Sequence, residues 1–293
     1  MSDTIAVVFD FDDTLVPDST SLLLEQHGID PKKFWTEELE DAVRRGYEPT
    51  LGFLHLFLAN VGDGKPLGRL TNERLREFGS TLDSRLHPGL PKVFDDLRQI
   101  GRDIGRVCVE FYIVSGGLQS VIEGTAIFKK GYFETVYGCL LEEDGDPPAV
   151  AHVKRAISFT EKTRYLFEIN KGISQADSNR NPYLVNRDVP DSKRHVAFRN
   201  MIYVGDGLTD IPCFSLLKKY DAPRFGVFDP SNEGKAKRAF LEFLQPGRVV
   251  GMHAPKYGPT MNSDHSFGCR RCSVHTIDVR AGNRLVPALC YHH

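Results

Sequence analysis

The sequence has little that points to a membrane or a nucleic acid as a partner. Its formal net charge is only −2 over 293 residues, so we predict no strongly basic surface. No apolar segment approaches the length that crosses a bilayer. The first residues, Met1-Ser2-Asp3-Thr4, lack the basic region of a signal peptide. These absences favour a cytoplasmic protein with neither a membrane nor a nucleic acid as partner.

Cysteine is also scarce, with 6 in the whole chain. Cys108, Cys139 and Cys213 stand singly in apolar surroundings, which is typical of buried free thiols in a reducing compartment. No pattern of paired cysteines indicates a disulfide framework.

The other three cysteines lie near the C-terminus, in a stretch without helical periodicity. Cys269 and Cys272 form a CxxC pair, and His265 and His275 lie nearby, so a zinc site is conceivable there. A single CxxC with loosely placed histidines is a weak signal. We therefore interpret residues 251–293 as a tail, with disorder favoured over a zinc site.

The most informative stretch lies at the start of the chain. The apolar run Ile5–Phe9 leads directly into Asp10, Asp12 and Asp13. Such a run predicts a strand of a parallel sheet, with the carboxylates at its C-terminal end, where α/β folds bind ligands. In an extended chain Asp10 and Asp12 point the same way and Asp13 points the other way. Two neighbouring carboxylates call for a cation or a shared proton.

Two further apolar strands are predicted at 106–114 and 201–204. Each is followed by polar residues that could also bind a ligand. Ser115 and two glycines follow the first strand, and a hydroxyl beside backbone N–H groups at a helix start suits a phosphate group. Asp206 and Asp210 follow the second strand with glycines between them, so a tight turn can bring both carboxylates to one point.

Lys162 is locally inconsistent with its predicted helix. It lies in the first turn after Thr160, where a positive charge opposes the helix dipole. Such inconsistencies are more common at functional sites. Lys171, at the C-terminal end of the same helix, has an ordinary capping position.

A helical segment, residues 17–87, separates the first two strands and is too long for a simple loop. We predict it to be a small domain, which leaves a discontinuous core of residues 1–16 and 88–250. A β-hairpin is predicted at 133–153 and a long loop at 173–199. Four residues of the helical segment could serve a site but are better explained as core or solvated side chains. These are Trp35, Arg44, Arg45 and His55.

Taken together, the residues at the predicted strand ends suit the transfer of a phosphoryl group. Carboxylates from two strands favour Mg²⁺, which prefers oxygen ligands. A hydroxyl, backbone N–H groups and a lysine suit a phosphoryl group. One carboxylate beside the phosphorus can act as nucleophile, and a second can protonate the leaving oxygen and later deprotonate water.

The chain resembles the haloacid dehalogenase superfamily of phosphohydrolases. Asp10-Phe11-Asp12-Asp13-Thr14 is similar to motif I, Ser115-Gly116 to motif II, Lys162 to motif III, and Gly205–Asp210 to motif IV. The resemblance covers residues 1–230 and implies a Rossmann-like α/β core, with a central parallel sheet flanked by helices. It also implies that the helical segment is a C1-type cap, as in the phosphoserine-phosphatase-like branch.

The resemblance implies roles for the four aspartates. Asp10 would be the nucleophile and a Mg²⁺ ligand. Asp12 would be the general acid and base and would bind the metal through its backbone carbonyl. Asp206 would be a further ligand, and Asp210 would be a ligand or lie just behind one.

It also implies roles for the remaining motif residues. Ser115 and the Gly116 N–H would hold the phosphoryl group, and Lys162 would neutralise it. Thr14 would support motif I.

The sequence thus predicts a Mg²⁺-dependent phosphatase that hydrolyses a small soluble phosphate monoester through an aspartyl phosphate. The family's dehalogenases lack a carboxylate at the position of Asp12, which argues against cleavage of a carbon–halogen bond. A phosphotransferase with the same intermediate and a non-catalytic phosphate-binding regulatory protein are the alternatives. No residue pattern of the predicted cap identifies the substrate, and none indicates an oligomeric state.

Overall fold

The computed structural model describes residues 3–105 and 107–258, which fold around one seven-stranded sheet. The strand order is β4-β3-β2-β1-β5-β6-β7, and every neighbouring pair is parallel except the antiparallel pair of β3 and β4. This mostly parallel sheet confirms the predicted α/β fold. The strands are β1 (Asp3–Phe9), β2 (Val107–Leu118), β3 (Phe133–Asp144), β4 (Ala149–Arg155), β5 (Met201–Gly205), β6 (Arg224–Val227) and β7 (Gly251–His253).

Helices flank the sheet, and none in the described part of the chain is long and apolar enough to cross a membrane. They are α1 (Ser19–Gln26), α2 (Pro31–Lys33), α3 (Leu39–Arg44), α4 (Pro49–Ala59), α5 (Asn72–Thr81), α6 (Lys92–Ile104), α7 (Gln119–Gly124), α8 (Ala126–Lys129), α9 (Glu161–Lys171), α10 (Gln175–Arg180), α11 (Ile211–Lys218) and α12 (Glu233–Ala239). A π-helical turn, Phe34–Glu38, joins α2 to α3.

The first strand lies in the middle of the sheet because its side chains are apolar on both faces. Residues 6–9 are completely buried, as expected of a strand covered by helices on both sides. Phe9 is paired with Ile113 of β2 on one side and with Val204 of β5 on the other. The carboxyl ends of these three strands therefore meet at one edge of the sheet.

The helical segment between β1 and β2 packs against the core through α5. A Cβ atom on Gly79 would overlap the backbone of Val121, and one on Gly124 would overlap the backbone of Arg76. The two glycines thus permit a close approach of α5 and α7. Asn72, at the start of α5, also donates its side-chain amide to the Leu141 carbonyl at 3.1 Å.

Residues 173–199, predicted as a long loop, contain the helix α10 and three short 3-10 turns. Local capping explains the helix, since the Ser174 side chain accepts a hydrogen bond from the Asp177 N–H at 3.1 Å. The prediction missed this helix because Ser174 is only one of many polar residues in the segment.

The sheet also continues past residue 250, where the core was predicted to end. Gly251–His253 forms the parallel edge strand β7 beside β6, and Tyr257 is buried against Phe9, with ring centroids 6.1 Å apart. A three-residue edge strand has no periodicity to recognise, which is why the sequence did not indicate it. The CxxC pair and its histidines lie outside the described residues.

Candidate active site

The predicted site residues converge where β1, β2 and β5 end. Asp10 follows β1 directly, Ser115 lies in the last third of β2, and Asp206 follows β5. Asp10 is anchored to the neighbouring strand, because its N–H donates to the Val204 carbonyl at 2.9 Å. Parallel pairing of the three strands therefore brings together residues that are far apart in the sequence.

Lys162 is buried completely between two of the aspartates. Its Nζ donates to Asp10 Oδ2 at 2.8 Å and to Asp210 Oδ1 at 2.7 Å. Burial lowers the pKa of this ammonium, but the two carboxylates more than offset that effect and raise it above its ordinary value. The positive charge in the first turn of α9 is thus stabilised by one carboxylate directly after β1 and by another in the β5–α11 connection.

Asp10, Asp206 and Asp210 form a cluster in which one oxygen of each lies within 4.8 Å of the others. Burial raises the pKa of Asp206 well above its ordinary value, and the neighbouring carboxylates of Asp10 and Asp210 raise it further. Burial also raises the pKa of Asp10 to about 6, although Lys162 opposes the shift. A largely buried set of mutually repelling carboxylate oxygens fits a hard divalent cation such as Mg²⁺.

Asp210 is fixed on three sides. Besides Lys162, the Tyr203 hydroxyl donates to its Oδ1 at 2.7 Å and the Gly207 N–H donates to its Oδ2 at 2.9 Å. Gly205 leaves room for this carboxylate, because a Cβ at that position would overlap it. The glycines predicted to permit a tight turn therefore allow the carboxylate to approach the backbone closely.

Asp12 lies beside the cluster rather than within it. Its Oδ1 accepts a hydrogen bond from the Ser19 N–H, at the start of α1, at 2.8 Å. Burial raises the pKa of Asp12 to about 8, and the nearby Asp18 carboxylate contributes to the shift. A carboxyl group with this pKa holds a proton at neutral pH and can give it up.

Asp12 also faces the end of β2. Its Oδ2 lies so close to Gly117 that a Cβ there would overlap it. Gly117 donates its N–H to Ser115 Oγ at 3.0 Å, so the serine and Asp12 share this glycine as a neighbour. Gly116 has more space, because its nearest contact for a Cβ would be the Ile157 carbonyl oxygen at 3.5 Å.

These neighbouring glycines give a direct test of the geometry. We expect Gly117→Ala to lower kcat by about 10²-fold or more, because displacement of a positioned catalytic group by about 1 Å has that effect. Gly116→Ala adds the same methyl group into ordinary contact distance and should retain at least tenfold more activity than Gly117→Ala. Steady-state kinetics of the two purified variants, with circular dichroism to verify folding, decides the matter. Equal losses would contradict the close contact of Gly117 with Asp12.

Thr14 is buried, but its hydroxyl has no hydrogen-bond partner among the described residues. Its backbone is held instead, since the Tyr257 hydroxyl donates to the Thr14 carbonyl at 2.8 Å. Thr14 belongs to the turn that follows Asp12, because its N–H donates to the Phe11 carbonyl at 3.3 Å.

Two contacts at the site were not predicted. Tyr203 stands in an otherwise apolar strand, and a tyrosine two residues before a Gly-Asp-Gly turn could have indicated a hydroxyl near the site. Lys235 forms an ion pair with Asp13, which has a left-handed backbone with φ 53°. No local pattern could have found this pair, because the two residues lie 222 positions apart.

The four residues of the helical segment make local contacts. The Trp35 indole donates to Ser21 Oγ at 2.8 Å, and His55 stacks on Tyr47 with ring centroids 5.0 Å apart. Arg45 forms an ion pair with Asp41 at 3.1 Å, and Arg44 is exposed. Trp35 and the two arginines thus have the packed and solvated environments that were expected, but His55 is exposed and is not the core histidine that the sequence suggested, because it stacks on the surface residue Tyr47.

Comparison with known proteins identifies the family. The profile of haloacid dehalogenase-like hydrolases matches residues 7–215, which is well over half of the chain. The protein therefore belongs to the haloacid dehalogenase-like hydrolases.

The individual proteins that resemble this chain have low sequence identity to it. An uncharacterized protein of Borreliella burgdorferi is 29% identical over 261 residues, covering 81% of this chain and 87% of the other. A haloacid dehalogenase-family hydrolase from Salmonella enterica serovar Typhi superposes with a TM-score of 0.54 at 14% identity, over 86% of this chain and 67% of the other. A phospho-aspartyl intermediate analogue of phosphoserine phosphatase gives a TM-score of 0.50 at 16% identity, over 87% and 94% of the two chains. At these identities the two structures share the fold.

Proposed function

We propose that the protein is a Mg²⁺-dependent phosphatase that hydrolyses a small soluble phosphate monoester in the cytoplasm. The observation that supports this most strongly is the position of Asp10. Its carboxylate contacts Lys162 at 2.8 Å and lies in the same cluster as Asp206 and Asp210. A nucleophilic carboxylate surrounded by a fixed cation and by ligands for a second cation is suited to attack a negatively charged phosphorus.

In the first step of the proposed reaction, an Asp10 oxygen forms a bond to phosphorus and the bond from phosphorus to the ester oxygen breaks. Asp12 donates its proton to that oxygen, and the alcohol leaves. The raised pKa of Asp12, about 8, supports this role because the carboxyl group is protonated at neutral pH. Asp10, with a pKa of about 6, is mostly ionised under the same conditions and can attack.

In the second step, Asp12 accepts a proton from water, and the water oxygen attacks the phosphorus of the aspartyl phosphate. The bond between phosphorus and the Asp10 oxygen breaks, which releases inorganic phosphate and restores both carboxyl groups.

The remaining residues would hold the phosphoryl group. The Ser115 hydroxyl and the Gly116 N–H would donate to its oxygens, and Lys162 would offset their charge. Asp10, Asp206 and Asp210, with the Asp12 carbonyl, would hold Mg²⁺. When bound, Mg²⁺ supplies positive charge that lets an anionic nucleophile approach an anionic substrate.

The helical segment would act as a cap over this site. The start of α1 already contacts the site, because the Ser19 N–H donates to Asp12 Oδ1. A movement of α1 would therefore alter both access to the site and the environment of Asp12. We propose that closure excludes water during the first step.

The test is release of inorganic phosphate from a panel of phosphomonoesters, with Mg²⁺ and with EDTA. We expect release with Mg²⁺ and a loss of at least 10²-fold in EDTA, because the carboxylate cluster then lacks its cation. Added alcohols or sugars distinguish hydrolysis from transfer, since a phosphotransferase would form new phosphate esters. No release from any compound by the folded, Mg²⁺-loaded protein would refute the general phosphatase proposal.

A further inference from the structure

A cavity of about 370 Å³ lies beside the cluster, on the β5–β6–β7 side of the sheet. Asp206 lines it, so the cavity adjoins the candidate Mg²⁺ site. Its other walls come from the connection before α6, the ends of β6 and β7, and α12. The cavity is thus on the opposite side of β1 from Ser115, and the proposed reaction does not use it.

Three long cationic side chains from two separate parts of the chain line this cavity. Lys235 and Arg238 are three residues apart and therefore lie on one face of α12, and Lys256 follows β7. Lys235 forms an ion pair with Asp13. Arg238 and Lys256 are exposed, and their side chains make no hydrogen bond or ion pair within the described residues.

Each of the three carboxylates that line the cavity already has polar or charged neighbours within the protein. Asp13 is paired with Lys235, and Asp206 belongs to the candidate metal cluster. Asp229 Oδ1 accepts hydrogen bonds from the Ser231 N–H at 2.9 Å and from the Ser231 hydroxyl at 2.7 Å. The cations of the cavity that have no direct contact with a carboxylate in the described residues are therefore Arg238 and Lys256.

His87 adds a polar atom without a partner. Its Nε2 is buried and has no hydrogen-bond partner in the described part of the chain. The residue lines the same cavity, and its backbone is fixed because its N–H donates to the Leu15 carbonyl at 3.0 Å. A buried ring nitrogen without a partner, in a cavity with two unpaired cations, calls for a ligand with oxygen atoms.

We propose that this cavity binds a second acidic group of the substrate, so that the protein acts on phosphate monoesters that also carry a carboxylate or another phosphate. Arg238 and Lys256 would pair with that group, with His87 as a further hydrogen-bonding partner. This inference rests on the proposed phosphatase function, because it extends the substrate from the Mg²⁺ site into the adjoining cavity. The cavity would thus select among phosphate monoesters by this second acidic group.

Binding to an inactive variant tests this proposal without depending on turnover. In the Asp10→Asn background with Mg²⁺, calorimetric titration compares two matched pairs: 3-phosphoglycerate with glycerol 3-phosphate, and fructose 1,6-bisphosphate with fructose 6-phosphate. The first pair tests a carboxylate and the second pair tests another phosphate. We expect the more acidic member of at least one pair to bind about tenfold more tightly, the usual contribution of a hydrogen-bonded charge pair.

Adding Arg238→Gln and Lys256→Gln should remove that preference. The matched control is Lys219→Gln with Lys237→Gln, two exposed lysines outside the cavity, which makes the same change in net charge. The control should keep the preference.

The proposal is wrong if neither pair shows a preference for the more acidic member. It is also wrong if the preference survives in the Arg238/Lys256 variant, or if the control removes it equally. Since binding is measured without phosphate release, a failure of the cavity proposal is distinguishable from a failure of the phosphatase proposal.

Discussion

Replacement of Asp10 by Asn is expected to abolish phosphate release, with kcat reduced by about 10⁴-fold or more, as for other enzymes that lose their nucleophile. The amide has nearly the same shape as the carboxylate but cannot form the proposed aspartyl phosphate. The fold should persist, because Lys162 keeps its contact with Asp210 at 2.7 Å. Release of phosphate from the best substrate of the panel measures the effect.

Asp13→Asn is the matched control for this prediction. Asp13 is nearby in the same acidic run, but it pairs with Lys235 rather than with Lys162. Asparagine tolerates the left-handed backbone found at this position. We expect Asp13→Asn to be at least 10²-fold more active than Asp10→Asn, since it retains the proposed nucleophile. Equal activity of the two variants would refute the assignment of Asp10.

Replacement of Lys162 by Met is expected to cost about 3–5 kcal/mol in the free energy of unfolding, which is typical when one partner of a buried ion pair is removed. Methionine fills a similar volume, so the loss arises mainly from Asp10 and Asp210, whose buried carboxylates no longer face a cation. Denaturant unfolding in EDTA measures the loss. Added Mg²⁺ should stabilise the variant more than the wild type, because the ion then provides the missing positive charge.

Lys171→Met, on the same helix, is the control for Lys162→Met. The Lys171 ammonium donates to the carbonyls of Val185 at 2.6 Å and Arg187 at 2.7 Å, so its loss affects a partly exposed segment and no buried carboxylate. We expect a smaller loss of stability, and the same effect of Mg²⁺ as in the wild type. If Mg²⁺ stabilised Lys162→Met no more than it stabilises the wild type and Lys171→Met, the carboxylate cluster would not be the metal site.

Much of the fold was predictable because strands buried on both faces leave a strong signal. The runs that became β1, β2 and β5 are almost continuously apolar, and each ends in Asp, Ser-Gly or Gly-Asp. The prediction was poorest where the signal is short or local. The edge strand β7 has only three residues, and α10 begins at a single capping serine within a polar segment.

Strand periodicity also described the acidic run incompletely. Alternation predicted that Asp10 and Asp12 point together, but β1 ends at Phe9 and the chain turns immediately afterwards. Asp10 enters the carboxylate cluster, whereas Asp12 accepts from Ser19 and faces Gly117. Each direction is set by contacts with other elements, which a rule for extended chains does not include.

By itself the sequence determined the class of fold and the kinds of chemical group at the strand ends, because backbone periodicity and side-chain chemistry are local properties. Only the tertiary structure decided which groups meet. The contact of Lys162 with Asp10 joins residues 152 positions apart, and the pair of Asp13 with Lys235 spans 222 positions. The cavity beside Asp206 likewise combines α12 with the segment after β7. Such contacts depend on strand order and helix packing, which bring distant residues together without any local pattern in the sequence.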